Sequence, residues 1–486
     1  MSDAPTPVFA SSAPAAAGLE SRARLPWRRA LVYGLGLSGR AAARLLLDRG
    51  VAVLAVDDRD PLPELEALAG DAAFEARRAA ELSALPADVE VVVTSPGVPP
   101  SRPLLLAARE RGAPVIAEVE LAYRLLERTD AIVVGVTGSN GKSTTTALAG
   151  ALIGASGRTV EVCGNIGKPL CGVVDGPPGR IFVVELSSFQ LETVDRFRSH
   201  AAALLNLAPD HLDRHAGFDA YAAAKARLFE RQGEGDVAVL NADDVRVRGL
   251  ALPDRVRRRF FSRLAPVGDG CYLLEDRVVE VAPGEPPRTL FALADLRLEG
   301  EHNLENAMAA ALLARAEGVD AAAIVSGLAG FGGLPHRVQR VGTRGGVAFV
   351  DDSKGTNVAA TLRSLEGFAD GSVHLILGGR GKGADFGPLR DAVSAKARRV
   401  YLIGESGEAI GCALDLPERA EASRTLERAV RSAAERARAG DVVLLSPACA
   451  SFDQFESFVD RGRAFQRLAR SLEGFSSETR EEGAGG

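Results

Sequence analysis

The sequence predicts an α/β protein of three domains, each built on a mostly parallel sheet covered by helices. Two observations predict it. Short β-rich apolar runs alternate with Ala/Leu/Arg-rich helical stretches along nearly the whole chain, and two glycine-rich turns each follow such a run and open a helix. The runs lie at residues 30–33, 51–56, 89–94, 131–136, 181–186, 201–205, 237–240, 347–350, 373–377, 400–403 and 442–445. From 255 to 282 the β segments are closely spaced and divided by turn glycines, so a small antiparallel addition is expected there.

At 486 residues the chain is too long for one compact core. One boundary is expected near Leu121, ahead of the run that feeds the second glycine-rich turn. Another is expected near Leu334-Pro335, after Gly330-Phe331-Gly332-Gly333, a stretch suited to a hinge. The domains are then 29–121, 122–333 and 334–473. Residues 1–28, rich in Ala, Pro and Ser, and residues 474–486, polar and glycine-rich, are expected to be disordered.

Composition narrows the function. Hydrophobic residues make up 46% and charged residues 25%, as in ordinary soluble globular proteins. A net charge of -6 leaves no basic footprint for nucleic acid or an anionic membrane surface. The five cysteines (Cys163, Cys171, Cys271, Cys412, Cys449) are scattered, which speaks against a disulfide framework or a cysteine-rich metal cluster. The N-terminus lacks a signal-peptide pattern, and no apolar run reaches bilayer-spanning length. A cytoplasmic monomer acting on small molecules is expected, with no nucleic acid partner and no membrane insertion.

The first glycine-rich turn, Val32-Tyr33-Gly34-Leu35-Gly36-Leu37-Ser38-Gly39, satisfies GxGxxG, and Asp57 ends the next run as a ribose-binding acid should. Read alone, it favours NAD and a Rossmann-like domain. The second, Val136-Thr137-Gly138-Ser139-Asn140-Gly141-Lys142-Ser143-Thr144, has a phosphate-loop layout, although the first glycine of the strict pattern falls on Val136. Glycines let backbone N–H groups point at phosphate oxygens and the helix N-terminus adds positive partial charge. Lys142 can reach the β- and γ-phosphates, and the Ser143 hydroxyl can ligate Mg²⁺. By itself this loop does not separate a ligase from a motor ATPase or a switch GTPase. Glu185 at the end of an apolar run reads either as a further Mg²⁺ ligand or as an N-cap or exposed charge. Lys225 alone reads as a solvated lysine, and His211 alone as a structural histidine.

Thr137-Gly-Ser-Asn-Gly-Lys-Ser-Thr resembles the phosphate loop of the Mur ligase family, and further family blocks follow in order. They are Gly164-Asn165-Ile166-Gly167, Glu185-Leu-Ser-Ser-Phe-Gln190, Asn206-Leu-Ala-Pro-Asp210-His211-Leu-Asp213, Tyr221-Ala-Ala-Ala-Lys225 and Gly300-Glu-His302-Asn303-Leu-Glu-Asn306. Next come Leu334-Pro335-His336-Arg337, Asp351-Asp352-Ser353-Lys354-Gly-Thr356-Asn357, Leu377-Gly-Gly-Arg380-Gly-Lys382 and Leu445-Ser446-Pro447-Ala-Cys449-Ala-Ser451-Phe452-Asp453. The last two blocks are similar to the branch of the family that adds D-glutamate. The resemblance covers about residues 29–473.

It implies an ATP-dependent ligase that activates the carboxylate of UDP-N-acetylmuramoyl-L-alanine as an acyl phosphate, which the amine of D-glutamate then attacks. It implies a central ATPase domain between two Rossmann-like domains, the first of which binds the UDP end of the substrate and no nicotinamide. Lys142, Glu185, His211 and Lys225 would be catalytic. ATP would be held by residues 137–144 (Thr137, Gly138, Ser139, Asn140, Gly141, Lys142, Ser143, Thr144), with Asn306 at the adenine, Asp352 at the ribose and Arg337 and Lys354 at the phosphates. Two Mg²⁺ ions would be bound through Ser143, Glu185, His211 and Lys225, the lysine as a carbamate. Leu37, Ser38, Asp57, Asp58, Arg59, Ser95, Gly97, Asn165 and His211 would contact the UDP substrate. Thr356, Lys382, Ser451, Phe452 and Phe458 would contact D-glutamate; the family often has Leu where this chain has Phe452. His302 and Asn303 fit either a place behind the site or a helix start.

Within the family, the lack of an Asp-Asn-Pro-Arg motif argues against a diamino-acid ligase, and the nucleotide fingerprint of the first domain argues against a folate ligase. A dehydrogenase with an added ATP module would leave the Glu185, His211 and Lys225 blocks idle. A regulatory switch would explain only residues 137–144.

Overall fold

A computed structural model describes residues 24–59, 68, 71–210, 214–298, 300–381 and 383–477. The first sheet has five parallel strands, β1 (Arg29–Tyr33), β2 (Ala52–Asp57), β3 (Phe74–Arg78), β4 (Val91–Thr94) and β5 (Val115–Ala117), in the order β3-β2-β1-β4-β5. Strand order reverses between β1 and β4, so the loops after these two strands open a crevice at one sheet edge. The helix Leu37–Asp48 packs against β1 through Gly39, where a Cβ would sit 1.8 Å from the Gly34 carbonyl oxygen.

The second sheet has nine strands: β6 (Ile132–Thr137), β7 (Val160–Gly164), β8 (Ile181–Glu185), β9 (Ala201–Leu204), β10 (Val237–Asn241), β11 (Arg257–Ser262), β12 (Gly270–Leu274), β13 (Arg277–Val281) and β14 (Arg288–Ala292). Its order is β14-β13-β12-β11-β10-β9-β6-β8-β7. The expected antiparallel addition needs correction. β11 and β12 continue the parallel sheet, and the antiparallel pairings are those of β13 with β12 and with β14, so β13 is the strand that runs against the rest. The third sheet contains β15 (Gln339–Arg344), β16 (Val347–Asp351), β17 (Val373–Gly378), β18 (Ala397–Ile403), β19 (Ala420–Arg424), β20 (Val442–Leu445) and β21 (Phe475–Ser477), in the order β19-β18-β17-β20-β16-β15-β21.

Every apolar run read from the sequence is a strand. Central strands such as β8 and β17 are buried along their whole length, because helices cover both faces of a parallel sheet. Strands that were not expected, among them β3 (FEARR), β15 (QRVGTR) and β19 (AEASR), lie at or near sheet edges, where polar side chains meet solvent and no apolar run is needed.

Both tail expectations are overturned at their inner ends. Leu25 is buried, and Trp27 packs on the same core beneath the Arg124 guanidinium. Ser476 and Ser477 pair with Thr343 and Gly342, because β15 offers an open strand edge that Phe475 anchors by packing on Phe349. Residues 1–23 and 478–486 lie outside the described residues.

The first two sheets share one apolar cluster. It joins Ala42 and Leu46 of the helix Leu37–Asp48, Leu121 and Leu125 of the helix Glu118–Leu126, and Leu170, Phe182 and Phe197 of the second sheet's layer. The third sheet has its own clusters, drawn only from residues 341–475. Domains one and two are therefore bonded by hydrophobic burial, whereas the third meets the second through polar contacts.

The substitution Gly39→Ala is expected to destabilise the protein by about 2 kcal/mol or more, because the added methyl must displace the Gly34 backbone. Thermal denaturation of the purified variant checks this, and an unchanged Tm refutes it.

Candidate functional site

Parallel strands release their loops at one edge, so β6, β8 and β9 deliver residues 137–144, 185–190 and 205–210 to the same place. Thr137 ends β6, and the helix Lys142–Ala155 starts after Gly141, whose φ of 81° is left-handed. A Cβ on Gly141 would lie 2.2 Å from Asn306 Oδ1, so only glycine lets the helix Glu301–Ala316 approach. Asn306 Oδ1 also accepts from Thr145 Oγ1 at 3.1 Å.

Four cations converge here. Lys142 Nζ donates to Gly138 O (2.9 Å) and Ser139 O (2.8 Å), and Lys225 Nζ donates to the same Gly138 O at 2.9 Å. Arg337 reaches over from the third domain and donates from Nη2 to Ser143 Oγ at 2.7 Å. Lys354 lies over the Phe458 ring at 4.2 Å. Burial pushes the Lys225 ammonium well below the ordinary lysine range, the Lys142 charge pushes the same way, and Asp210 and Glu185 oppose. Burial likewise lowers Lys142, Arg337 and Lys354, with Glu185 acting against the fall in each case. Cations so placed form a receptor for a polyanion.

Glu185 ends β8 and is buried. Its Oε1 accepts from Asn165 Nδ2 at 2.8 Å, whereas its Oε2 is buried with no hydrogen-bond partner. Of the residues predicted to hold metal, Ser143 lies on the first turn of the helix Lys142–Ala155 and accepts from Arg337, Glu185 is near enough to Lys225 to oppose its loss of charge, and His211 lies outside the described residues.

Asp352 is buried, accepting from Ser364 Oγ (2.6 Å), Ser446 Oγ (2.7 Å) and Val338 N (3.3 Å). Burial raises its carboxyl to about 6 against these hydrogen bonds. The D-glutamate candidates sit on loops after β16, β17 and β20, which are neighbours in the third sheet. Thr356 follows Lys354 in a tight turn (Thr356 N to Lys354 O, 2.7 Å), Ser451 is buried, Phe458 opens the helix Phe458–Arg470, and Phe452 is exposed. A two-bond bridge between Arg380 and Ala450 (2.9 and 3.1 Å) holds the second of these loops beside the third. Lys382 itself lies outside the described residues.

The UDP candidates gather at the crevice of the first sheet. Asp57 accepts from Leu35 N (2.7 Å) and from Arg59 N and Nε (3.0 and 3.2 Å). Burial works against its charge, but the Arg59 and Leu35 donors prevail and hold its carboxyl below the usual range. Asp58 accepts from Tyr33 Oη at 2.8 Å and pairs with Arg102. Ser95 Oγ donates to Gly34 O at 2.6 Å, while Leu37 and Gly97 are exposed and Ser38 half-buried at the rim. Asn165 lies beside Glu185 at the second sheet.

Residues not singled out from the sequence complete the site. Arg214 donates to Pro96 O (3.0 Å) and Val98 O (2.7 Å), tying the second domain to the loop after β4. His336 Nδ1 bonds Asp351 Oδ2 at 2.7 Å, and Gln466 Nε2 donates to the same oxygen at 2.8 Å, so the arm carrying Arg337 is anchored from behind. His336 and Asp351 were legible as parts of quoted blocks, but their pairing is not. His302 is on the first turn of the helix Glu301–Ala316, and burial lowers its imidazole.

A parallel sheet ending in a phosphate loop, roofed by cations from another domain and flanked by a second nucleotide-type crevice, defines an ATP-utilising enzyme of P-loop type that brings further substrates to the triphosphate. Family models match all three domains: the Mur ligase MurD-like N-terminal domain at residues 28–117, the Mur ligase middle domain at 136–314, and the Mur ligase glutamate ligase domain at 336–449. The chain belongs to the Mur ligase family. It is 46% identical over 456 residues to the UDP-N-acetylmuramoylalanine--D-glutamate ligase of Anaeromyxobacter dehalogenans, covering 91% of this chain and 97% of that one. It is 44% identical to the enzyme of the same name from Myxococcus xanthus, covering 92% and 99%. The fold is similar to the crystal structure of UDP-N-acetylmuramate-alanine ligase from Thermotoga maritima, with a TM-score of 0.59 at 19% identity over 91% of this chain and 99% of that chain. Among the described residues no helix is long and apolar enough to cross a membrane.

The raised carboxyl of Asp352 makes a signed prediction. Its folded value, about 6, exceeds the ordinary 3.8, so the folded state binds the extra proton and loses stability as pH rises between these values. Asp352→Asn does not titrate, so the stability of the variant relative to wild type is expected to climb from about pH 4 to about pH 6 and then level off. Urea titrations across this range read the difference; a flat difference refutes it.

Proposed function

We propose that this chain is the ATP-dependent ligase that joins D-glutamate to UDP-N-acetylmuramoylalanine, releasing ADP and phosphate. Full-length likeness to D-glutamate ligases carries the choice of amino acid. The buried cations around Ser143 and Glu185 carry the choice of chemistry. The triphosphate neutralises Lys142, Arg337 and Lys354, and that charge balance favours transfer of the γ-phosphoryl group to the substrate carboxylate. The acyl phosphate formed is then attacked by the amine of D-glutamate; the C–O bond to phosphate breaks and an amide forms.

The partnerless buried oxygen of Glu185 and the Ser143 hydroxyl fit a divalent cation in donor type and charge. Ser143 and Glu185 would hold Mg²⁺, which when bound supplies charge neutralisation of the phosphates; His211 and a carbamylated Lys225 are assigned to a second ion. The depressed ammonium of Lys225 supports that modification, since carbamylation requires the neutral amine. Leu37, Asp57, Asp58 and Ser95 bind the UDP end, and Thr356, Lys382, Ser451 and Phe458 bind D-glutamate, whose two carboxylates call for cationic and hydroxyl partners.

Phosphate release assayed with UDP-N-acetylmuramoyl-L-alanine, ATP and Mg²⁺ is expected with D-glutamate and not with L-glutamate, L-alanine or diamino acids. Turnover with another amino acid would move the chain to a sister branch and undo the Lys382 and Ser451 assignments. Lys225→Met is expected to lose at least about a hundred-fold in turnover, yet to raise the Tm of the ligand-free protein, because a buried, partly repelled ammonium is replaced by an apolar chain. A lower Tm with retained turnover would contradict both readings of this lysine.

A further inference from the structure

The phosphate loop departs from the strict pattern at Val136, and its shape is enforced from outside. Asn206, two residues past the end of β9, does most of this. Its backbone O accepts from Ser139 N at 3.0 Å. Its side-chain Oδ1 accepts from Asn140 N at 2.8 Å, and its Nδ2 donates back to Asn140 O at 3.2 Å. The side-chain amide thus makes with the Asn140 peptide the reciprocal pair of bonds that two strands make with one another.

Asn206 is itself fixed on both sides. Asn241 Nδ2 donates to Leu205 O at 3.0 Å, and Leu207 N donates to Asp244 Oδ2 at 2.8 Å. Two residues on, Ala208 N donates to Ser139 Oγ at 2.9 Å. With its middle tied to β9 in this way, the loop turns through Gly138 and Gly141 and presents the first N–H groups of the helix Lys142–Ala155, which no helical carbonyl can satisfy.

We propose that Asn206 is the positioning residue of the phosphate loop, setting nucleotide affinity through Asn140 without touching the nucleotide. An amide suits the task because it is donor and acceptor at once and carries no charge. Aspartate would face the Asn140 carbonyl with a second acceptor and set a negative charge behind the phosphates; alanine would forfeit both bonds.

The inference rests on the loop binding ATP as proposed above, and is independent of which amino acid is joined. Wild type, Asn206→Ala and Asn206→Asp are titrated calorimetrically with the Mg²⁺ complex of β,γ-methylene-ATP, and KM is measured for all three substrates. Loss of two hydrogen bonds predicts about ten-fold weaker nucleotide binding in the alanine variant and a matching rise in KM for ATP. The KM values for the nucleotide sugar and the amino acid stay as they were, and the aspartate variant binds nucleotide no better than the alanine one. Nucleotide affinity within two-fold of wild type overturns the proposal, as does an equal rise in all three KM values with a lowered Tm, which marks a purely structural role. A wild type that does not bind the nucleotide removes the ATP reading as well; one that binds it but ignores D-glutamate sinks only the choice of amino acid.

Discussion

The site depends on an electrostatic imbalance. Two ammonium groups, Lys142 and Lys225, share the carbonyl oxygen of Gly138, with Arg337 on the adjoining Ser143 hydroxyl. Like charges that share one buried acceptor repel each other. Burial adds to the cost, which is why all of these cations have depressed proton affinities. Under the proposed function, a bound triphosphate or carbamylation of Lys225 would relieve this cost.

The architecture keeps that imbalance adjustable. Lys142 and Lys225 belong to the second domain, which is welded to the first by a common apolar cluster. Arg337 and Lys354 belong to the third, whose clusters are its own. Among the described residues the third domain shares no apolar cluster with the other two, and it carries two of the four cations. The His336–Asp351–Gln466 anchor keeps the Arg337 arm rigid with respect to the third sheet, so it travels with that domain.

Neutral amides do the fine positioning. Asn165, Asn206, Asn241 and Asn306 stand around the phosphate loop, and the side-chain amide of each makes hydrogen bonds with neighbouring backbone or side chains. Carboxylates in these places would cancel the field that the lysines create, and additional cations would worsen their repulsion. Glu185 and Asp210 are the carboxylates whose charge acts on the lysines, and one buried oxygen of Glu185 has no hydrogen-bond partner.

The sequence by itself determined the three-sheet α/β class, both glycine-rich turns and the candidates that lie in contiguous blocks. Those features rest on local rules: buried parallel strands must be continuously apolar, and a phosphate loop must place its glycines and lysine at fixed offsets. The strands β3, β15 and β19, at or next to sheet edges, carry no apolar run in the sequence, because their pairing makes them strands. The parallel direction of β11 and β12 and the docking of Phe475–Ser477 on β15 likewise follow from partners distant in sequence. Only the tertiary structure decided that Lys225 and Lys142 meet on one oxygen, that Arg337 reaches Ser143, and that Asn206 holds Asn140. Each of these joins residues from different elements, and no periodicity records a distance across a sheet edge.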